Sequence, residues 1–299
     1  MTPGAKIRIV EVGPRDGLQN EKAALSIEAK VAFVDALSEC GFYEIEAGAF
    51  VSPKAVPQMA GSEEVFRRIR RAPGVLYSAL VPNERGLERA LASKADKIAV
   101  FTAASETFNL KNINASIAES LERFRPVAEQ ARRAGLPLRA YISTAFWCPY
   151  EGKVAPAAAV DVTKRLLDLG VDEISIGDTI GKAVPAAVRA LLTALLSACP
   201  LEKLALHFHD TYGAAVANAL TAWHEFGVTA FDSSAGGLGG CPYAPGASGN
   251  VATEDLAWAL KQSGAEITVD IEKTVQAANV LKPHLGRSLA SRLSAVAGK

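Results

Sequence analysis

The chain has 299 residues, with 32 Lys and Arg against 32 Asp and Glu and 49% hydrophobic residues, so it is long enough for one large domain and carries no formal net charge. No basic or acidic block stands out, which removes the electrostatic footprint of a nucleic-acid partner or an anionic membrane surface. No apolar run reaches the roughly 18 residues that span a bilayer, and the first residues lack the apolar core of a signal peptide, so a cytoplasmic protein is expected.

Taken in chain order, short β-branched or apolar runs recur at Ile7–Val12, Tyr43–Ala47, Val75–Val81, Lys97–Phe101, Leu138–Thr144, Glu173–Ile176, Leu204–Phe208 and Thr229–Ser233. Their starts lie about 32 residues apart, room for a strand, a crossover helix and the return to a parallel neighbour. Between them Ser26–Cys40, Ser116–Ala134, Val160–Leu169 and Ala214–Phe226 carry apolar residues at helical spacing. Gly41, Gly135, Gly170 and Gly227 each follow a helical run and precede a strand, the position of a C-terminal cap. Eight such units predict a (β/α)8 TIM barrel, an α/β fold, as a single domain over residues 1–299 with additional C-terminal helices from about residue 253. An open doubly wound sheet is the alternative. Against it, no G-x-G-x-x-G follows the first strand, and polar residues gather after many strands instead of at one switch point. The four cysteines, at positions 40, 148, 199 and 241, show no C-x-x-C spacing, so neither a disulfide framework nor a zinc ribbon is expected.

In a barrel of this kind chemistry collects at the C-terminal ends of the strands. The first strand leads into GPRDG with Arg15 and Asp16, the second contains Glu46, the sixth ends at Asp178, and the seventh carries His207 and His209. The eighth leads into a Gly-rich loop bearing Cys241 and Asn250. His207 and His209 are two apart, so on a strand both imidazoles point to one face as a pair of metal ligands. Adding Asp16 and the amide oxygen of Asn250 gives a mixed nitrogen and oxygen set suited to Mg2+ or Mn2+, and compatible with Zn2+ or Co2+. Arg15, always charged and with a planar fork of donors, suits an oxyanion such as an enolate. Glu46 in an apolar strand needs a partner, and Arg15 on the neighbouring strand is the nearest candidate. Asp178 fits two roles: a cap for the following helix, or a general base for a substrate hydroxyl. Five glycines in the eleven residues 236–246 make a loop able to approach a ligand closely, where Cys241 is placed to react, while Cys40 at a helix end reads as packing.

Together these residues resemble the 3-hydroxy-3-methylglutaryl-CoA lyase family of metal-dependent barrels, and the likeness runs over nearly the whole chain. It is carried by VGPRDGLQNEK at 12–22, FVSPKAVPQM at 50–59, KNIN at 111–114, CPYEGK at 148–153, IGDTIG at 176–181, HFHDT at 207–211 and above all by GLGGCPYA at 237–244. The resemblance implies a divalent metal on Asp16, His207, His209 and Asn250, with Arg15, Glu46, Asp178, His207 and Cys241 in catalysis. It implies cleavage of 3-hydroxy-3-methylglutaryl-CoA to acetyl-CoA and acetoacetate, a step of leucine degradation and ketone-body formation, by a cytoplasmic bacterial-type homodimer acting on a small acyl-CoA. Lys22 and Asn112 are candidate CoA contacts. Two departures stand out: Ala47, Gly48 and Ala49 where family members often have Ser or Thr, and Ala235–Gly236 in place of a more usual Val-Ala. Ala47 and Ala49 would leave room for a longer 3-hydroxy-3-alkylglutaryl-CoA such as the 3-hydroxy-3-isohexenyl compound, which is the runner-up substrate. A barrel that merely binds metal or acyl-CoA would leave the Arg, Asp, Glu and Cys set without a role.

Overall fold

The computed structural model describes residues 4–22, 24–240 and 249–297. Among the described residues there are ten strands: β1 (Arg8–Glu11), β2 (Glu44–Ala49), β3 (Leu76–Leu80), β4 (Lys97–Ala103), β5 (Leu138–Ser143), β6 (Trp147–Cys148), β7 (Gly152–Lys153), β8 (Glu173–Asp178), β9 (Leu204–Phe208) and β10 (Ala230–Ser233). Eight of them close a parallel barrel in the order β1-β10-β9-β8-β5-β4-β3-β2. These eight are the runs expected from the sequence, with no end shifted by more than two residues. The antiparallel hairpin β6–β7 between β5 and the next helix has no counterpart in that expectation.

The helices form because their apolar faces and their caps agree. Ser116 accepts a hydrogen bond from the Glu119 N–H while the Glu119 carboxylate accepts from the Ser116 N–H, a capping box that starts the helix Ile117–Arg133. The four glycines expected as caps all have left-handed φ between 64° and 83°. The helix Thr253–Gln262 follows β10 and packs on the helix Ala215–Phe226, so it takes the eighth place in the outer ring. The additional helices come after it, and Ile271–Asn279 lies against Ile27–Ser38 and Thr253–Gln262.

The apolar core sits between strands and helices, with Phe33, Leu37, Ile45, Ile98, Leu166, Leu192 and Phe231 fully or almost fully buried. Inside the barrel the filling is charged. Lys97 Nζ donates to Glu44 at 2.8 Å and to Glu173 at 2.6 Å, and Arg139, fully buried, donates to Asp232 at 2.5 Å. Barrel interiors are usually filled by branched apolar side chains. Here an ionic stack leads instead from the bottom of the barrel toward the strand ends.

Candidate active site

After β1 the chain makes one wide turn, Gly13–Gly17, in which the Val12 carbonyl accepts from the N–H groups of Arg15, Asp16 and Gly17 at 3.1, 2.7 and 3.2 Å. Glycine is needed at 17 because a Cβ there would lie 2.9 Å from Ser234 Oγ and 3.0 Å from Leu238 Cβ. Tight backbone packing thus aims Arg15 and Asp16 over the barrel mouth.

Arg15 Nε donates to Glu46 Oε2 at 2.7 Å, Arg15 Nη1 donates to Asp16 Oδ1 at 2.6 Å, and the Tyr141 hydroxyl donates to the same Glu46 oxygen at 3.2 Å. The guanidinium also lies 5.1 Å from the Tyr141 ring centre. Burial works against the Arg15 charge, but Glu46 and Asp16 more than offset it, so the group stays protonated. Burial lifts the Glu46 carboxyl above its ordinary value even against Arg15. The expected Arg15–Glu46 pair is therefore present, and it is buried.

Across the mouth, Asp16, His207 and His209 bring one ligand atom each within 4.8 Å of one another. Asn250 Nδ2 donates to Asp16 Oδ2 at 2.9 Å, which places the fourth expected residue beside them. Burial alone would raise the Asp16 pKa, but Arg15 and then the two imidazoles hold it well below the usual carboxylate range. Burial and the neighbouring His207 push His209 down to about 4, so at neutral pH it is uncharged and keeps a lone pair. His207 is pulled down by burial but lifted further by Asp232 and Asp16.

These donors fit a divalent cation. Among the described residues, Asn250 Oδ1 and His209 Nδ1 are buried polar atoms without a hydrogen-bond partner, beside an ionised carboxylate, and such atoms are costly unless something satisfies them. His207 Nδ1 lies 3.2 Å from Asp232 Oδ2, the arrangement that orients a ligating histidine and frees its other nitrogen. Asp232 is itself held by Arg139 and by the Ser175 hydroxyl, which donates at 2.7 Å. Asp232 and Tyr141 were not singled out from the sequence. An acid inside the apolar strand Ala230–Ser233 is the same signal that marks Glu46.

The site opens into a cavity of about 220 Å³ lined on its polar side by Arg15, Asp16, Gln19, Asn112, His207 and His209, and on its apolar side by Val51, Leu80, Phe101 and Phe108. Asn112 thus lines the cavity, whereas Lys22 is exposed and does not. Ala47 and Ala49 are buried without lining it, so extra room for a longer acyl group does not arise there. The Ala49 N–H donates to Ser62 Oγ at 3.2 Å, and that serine occupies the space beside Gly48. Asp178 is fully buried outside the cavity lining. Its oxygens accept from the N–H groups of Lys182 at 3.1 Å and Ala183 at 2.9 Å, which ties down the loop before the helix Pro185–Leu195. Burial lifts its pKa to about 7 against those hydrogen bonds and the nearby His207. Cys241 lies outside the described residues; Gly240 before it lines the cavity.

Residues 6–281 match the family described as HMGL-like. A Pseudomonas aeruginosa protein named 3-hydroxy-3-isohexenylglutaryl-CoA/hydroxy-methylglutaryl-CoA lyase is 52% identical over 287 residues, covering 96% of this chain and 95% of its own. Among solved structures, a hydroxymethylglutaryl-CoA lyase from Pseudomonas aeruginosa superposes with a TM-score of 0.96 at 50% identity, covering 99% of both chains. An HMG-CoA lyase from Acenitobacter baumannii, solved in complex with coenzyme A and 3-methylmalate, has a TM-score of 0.92 at 39% identity over 98% of this chain and 95% of its own.

Proposed function

The chain belongs to the HMGL-like family, and from that premise we propose that it is a carbon–carbon lyase that cleaves 3-hydroxy-3-methylglutaryl-CoA to acetyl-CoA and acetoacetate. The observation that carries this reading is the buried Arg15–Glu46 pair facing Asp16, His207 and His209 across one cavity. Asp16, His207, His209 and Asn250 would hold a divalent cation, Mg2+ or Mn2+ by the oxygen share of the set. Such a cation supplies Lewis-acid polarisation of the substrate's oxygens.

The protein's own groups then divide the work. Loss of the proton from the tertiary hydroxyl lets C3 become a ketone as the C2–C3 bond breaks, and the electron pair of that bond passes to C2 as the thioester enolate of acetyl-CoA. Arg15, locked by Glu46 and Asp16, presents its remaining N–H groups to the enolate oxygen at no cost in reorganisation. Cys241 gives its proton to C2. The hydroxyl proton goes to Asp178; His207 could take it only with its second nitrogen off the cation, since Nδ1 is engaged by Asp232. His207 lines the cavity, while Asp178, raised to about 7, sits behind it with both oxygens on backbone N–H groups. An Asp178→Asn variant that kept its turnover would leave the step to His207.

The apolar side of the cavity, Val51, Leu80, Phe101 and Phe108, supports a second reading in which a longer 3-hydroxy-3-alkylglutaryl-CoA is also cleaved, as the name of the Pseudomonas aeruginosa relative says of that protein. Action as a single catalytic unit, as a cytoplasmic homodimer in leucine degradation, belongs to the same proposal; no helix among the described residues is long and apolar enough to cross a membrane. The test is release of acetoacetate from 3-hydroxy-3-methylglutaryl-CoA with Mg2+ or Mn2+, beside an EDTA control and Cys241→Ala. Metal-dependent release that falls on the order of 100-fold or more in the variant supports the lyase and its proton donor. No release from metal-loaded protein overturns the reading.

A further inference from the structure

The C-terminal segment beyond the barrel carries no motif. In the structure it lies on the same face as the site. Gly286, with a left-handed φ of 64°, ends the short helix Lys282–Leu285 and turns the chain back toward the strand ends. From there the segment bonds to the loop after β10 and to the start of the helix Thr253–Gln262. The Ala290 N–H donates to the Gly236 carbonyl at 3.0 Å, the N–H groups of Arg292 and Leu293 both donate to Asp255 at 2.9 Å, and Ser294 Oγ donates to Glu254 at 2.8 Å. Asn250, Asp255 and Arg292 line one small cavity behind the site.

The most specific contact is made by Arg287. Its Nε donates to Glu21 Oε2 at 3.1 Å, its Nη2 donates to Glu21 Oε1, and the same Nη2 donates to the Gly239 carbonyl at 3.2 Å. Glu21 is 5% exposed and its Oε1 also accepts from the Gly239 N–H at 3.1 Å. Gly239 is thus gripped at both its N–H and its carbonyl by one ion pair, drawn from the loop after β1 and from the C-terminal segment. Its φ of 121° suits only glycine, and a Cβ there would lie 3.0 Å from Asn250 Nδ2. The carbonyl next to it, on Leu238, accepts from that same Asn250 Nδ2 at 3.3 Å. The amide nitrogen of Asn250 is therefore held between Leu238 and Asp16, which fixes which way its Oδ1, without a partner among the described residues, can face.

We infer that Glu21 and Arg287 are positioning residues: by clamping Gly239 they set the Leu238 carbonyl that orients Asn250, and so tune how tightly the site holds its cation. This rests on the reading of Asn250 as a metal ligand, and it gives the C-terminal segment a part in building the site without touching substrate.

The test compares Arg287→Met, Glu21→Gln and the double variant with the wild-type chain, reading Mn2+ affinity by calorimetry without substrate, melting temperature, and kcat and KM separately. Loss of such outer support is expected to weaken Mn2+ binding about 10-fold or more. The double variant should lose no more than the worse single one, because the two residues act as a unit. Turnover at limiting Mn2+ should fall while KM for the acyl-CoA stays within about two-fold. Ser116→Ala, a helix cap on the outer ring, should lower the melting temperature and leave Mn2+ affinity unchanged. Wild-type Mn2+ affinity in Arg287→Met and Glu21→Gln overturns the inference even if both melt earlier. If Arg287→Met does not fold, Arg287→Lys and Glu21→Gln decide by the same reading. A wild-type chain that binds Mn2+ but cleaves no acyl-CoA overturns the proposed function and leaves this inference to its own measurement.

Discussion

Arg15 is anchored by two carboxylates and a ring, and that arrangement makes its guanidinium hard to replace by any other cation. Lys at 15 would keep the charge and lose the fork that holds Glu46 and Asp16 at once. Arg15→Lys is expected to lower kcat on the order of 100-fold with far-ultraviolet circular dichroism unchanged. If steady-state kinetics found kcat intact, the locked guanidinium would have no part in transition-state stabilisation. Asp232 acts one step further out, through His207 Nδ1. Asp232→Asn keeps the shape and removes the charge, so Mn2+ affinity should fall about 10- to 100-fold by calorimetry. A lysine or arginine left facing an absent acid is a different matter from a mistuned ligand. The amide keeps the volume but still takes the nearer counter-charge from Arg139, so Mn2+ affinity is read on protein shown folded by circular dichroism.

At the scale of elements, the strand ends carry the chemistry while the helix starts carry stability. Ser116 is half-buried, is not part of the cavity lining, and is joined to Glu119 by two hydrogen bonds at 2.7 and 3.1 Å. Ser116→Ala should cost about 1 kcal/mol, seen as a drop of about 2–4 °C in melting temperature, with turnover at assay temperature unaltered. Strand β2 behaves differently, because its pairing with β3 slips between Glu46 and Gly48. That irregularity departs from strict strand alternation and lays Gly48 against Ser62, whose Oγ also accepts from the Ala49 N–H. Acyl-chain preference should accordingly respond to Leu80 or Phe101, which line the cavity, and not to Ala49. Leu80→Ala should raise kcat/KM for a longer 3-alkyl substrate relative to the methyl one, measured by direct competition. An unchanged ratio would remove this wall from the specificity of the enzyme.

For the molecule as a whole, the charged barrel interior sets the response to acid. Burial works against ionised Glu173, but Arg139, Lys97 and Arg8 outweigh it and bring its pKa down to about 2. A folded-state pKa below the unfolded one gives stability that is fully present above the unfolded value near 4.5 and is lost as pH falls toward about 2. The contribution is of order 3 kcal/mol. Acid titration of the wild-type chain should therefore show a steep loss of stability between about pH 4.5 and 2. Glu173→Gln should be less stable at pH 7 and show a shallower slope over that window. Metal acts in the opposite sense. A cation at 100 times its Kd should stabilise the native state by about 2.7 kcal/mol, so EDTA should lower the melting temperature, and Asp16→Asn should abolish that difference.

The eight strands, the caps after the helices and the acidic, basic and imidazole groups at the strand ends were all legible in the sequence, because they rest on local rules. Strand periodicity, a glycine that turns left, and two histidines two apart on one strand need only neighbouring residues to be interpreted. Closure of the sheet into a barrel followed from repetition of the same unit. What the tertiary structure decided is everything that depends on which strand lies beside which. Asp232 became the partner of His207 because β9 and β10 are neighbours, and Tyr141 joined Glu46 from 95 residues away. The slip between β2 and β3 turned Gly48 onto Ser62 and set Ala49 beside Leu80, and of these strands' residues it is Leu80 that lines the cavity. The C-terminal segment, which carries no motif, came to rest against Gly239 through Arg287. Contacts between distant parts of a chain are set by packing of whole elements, and a single sequence records the residues that meet without recording the meeting.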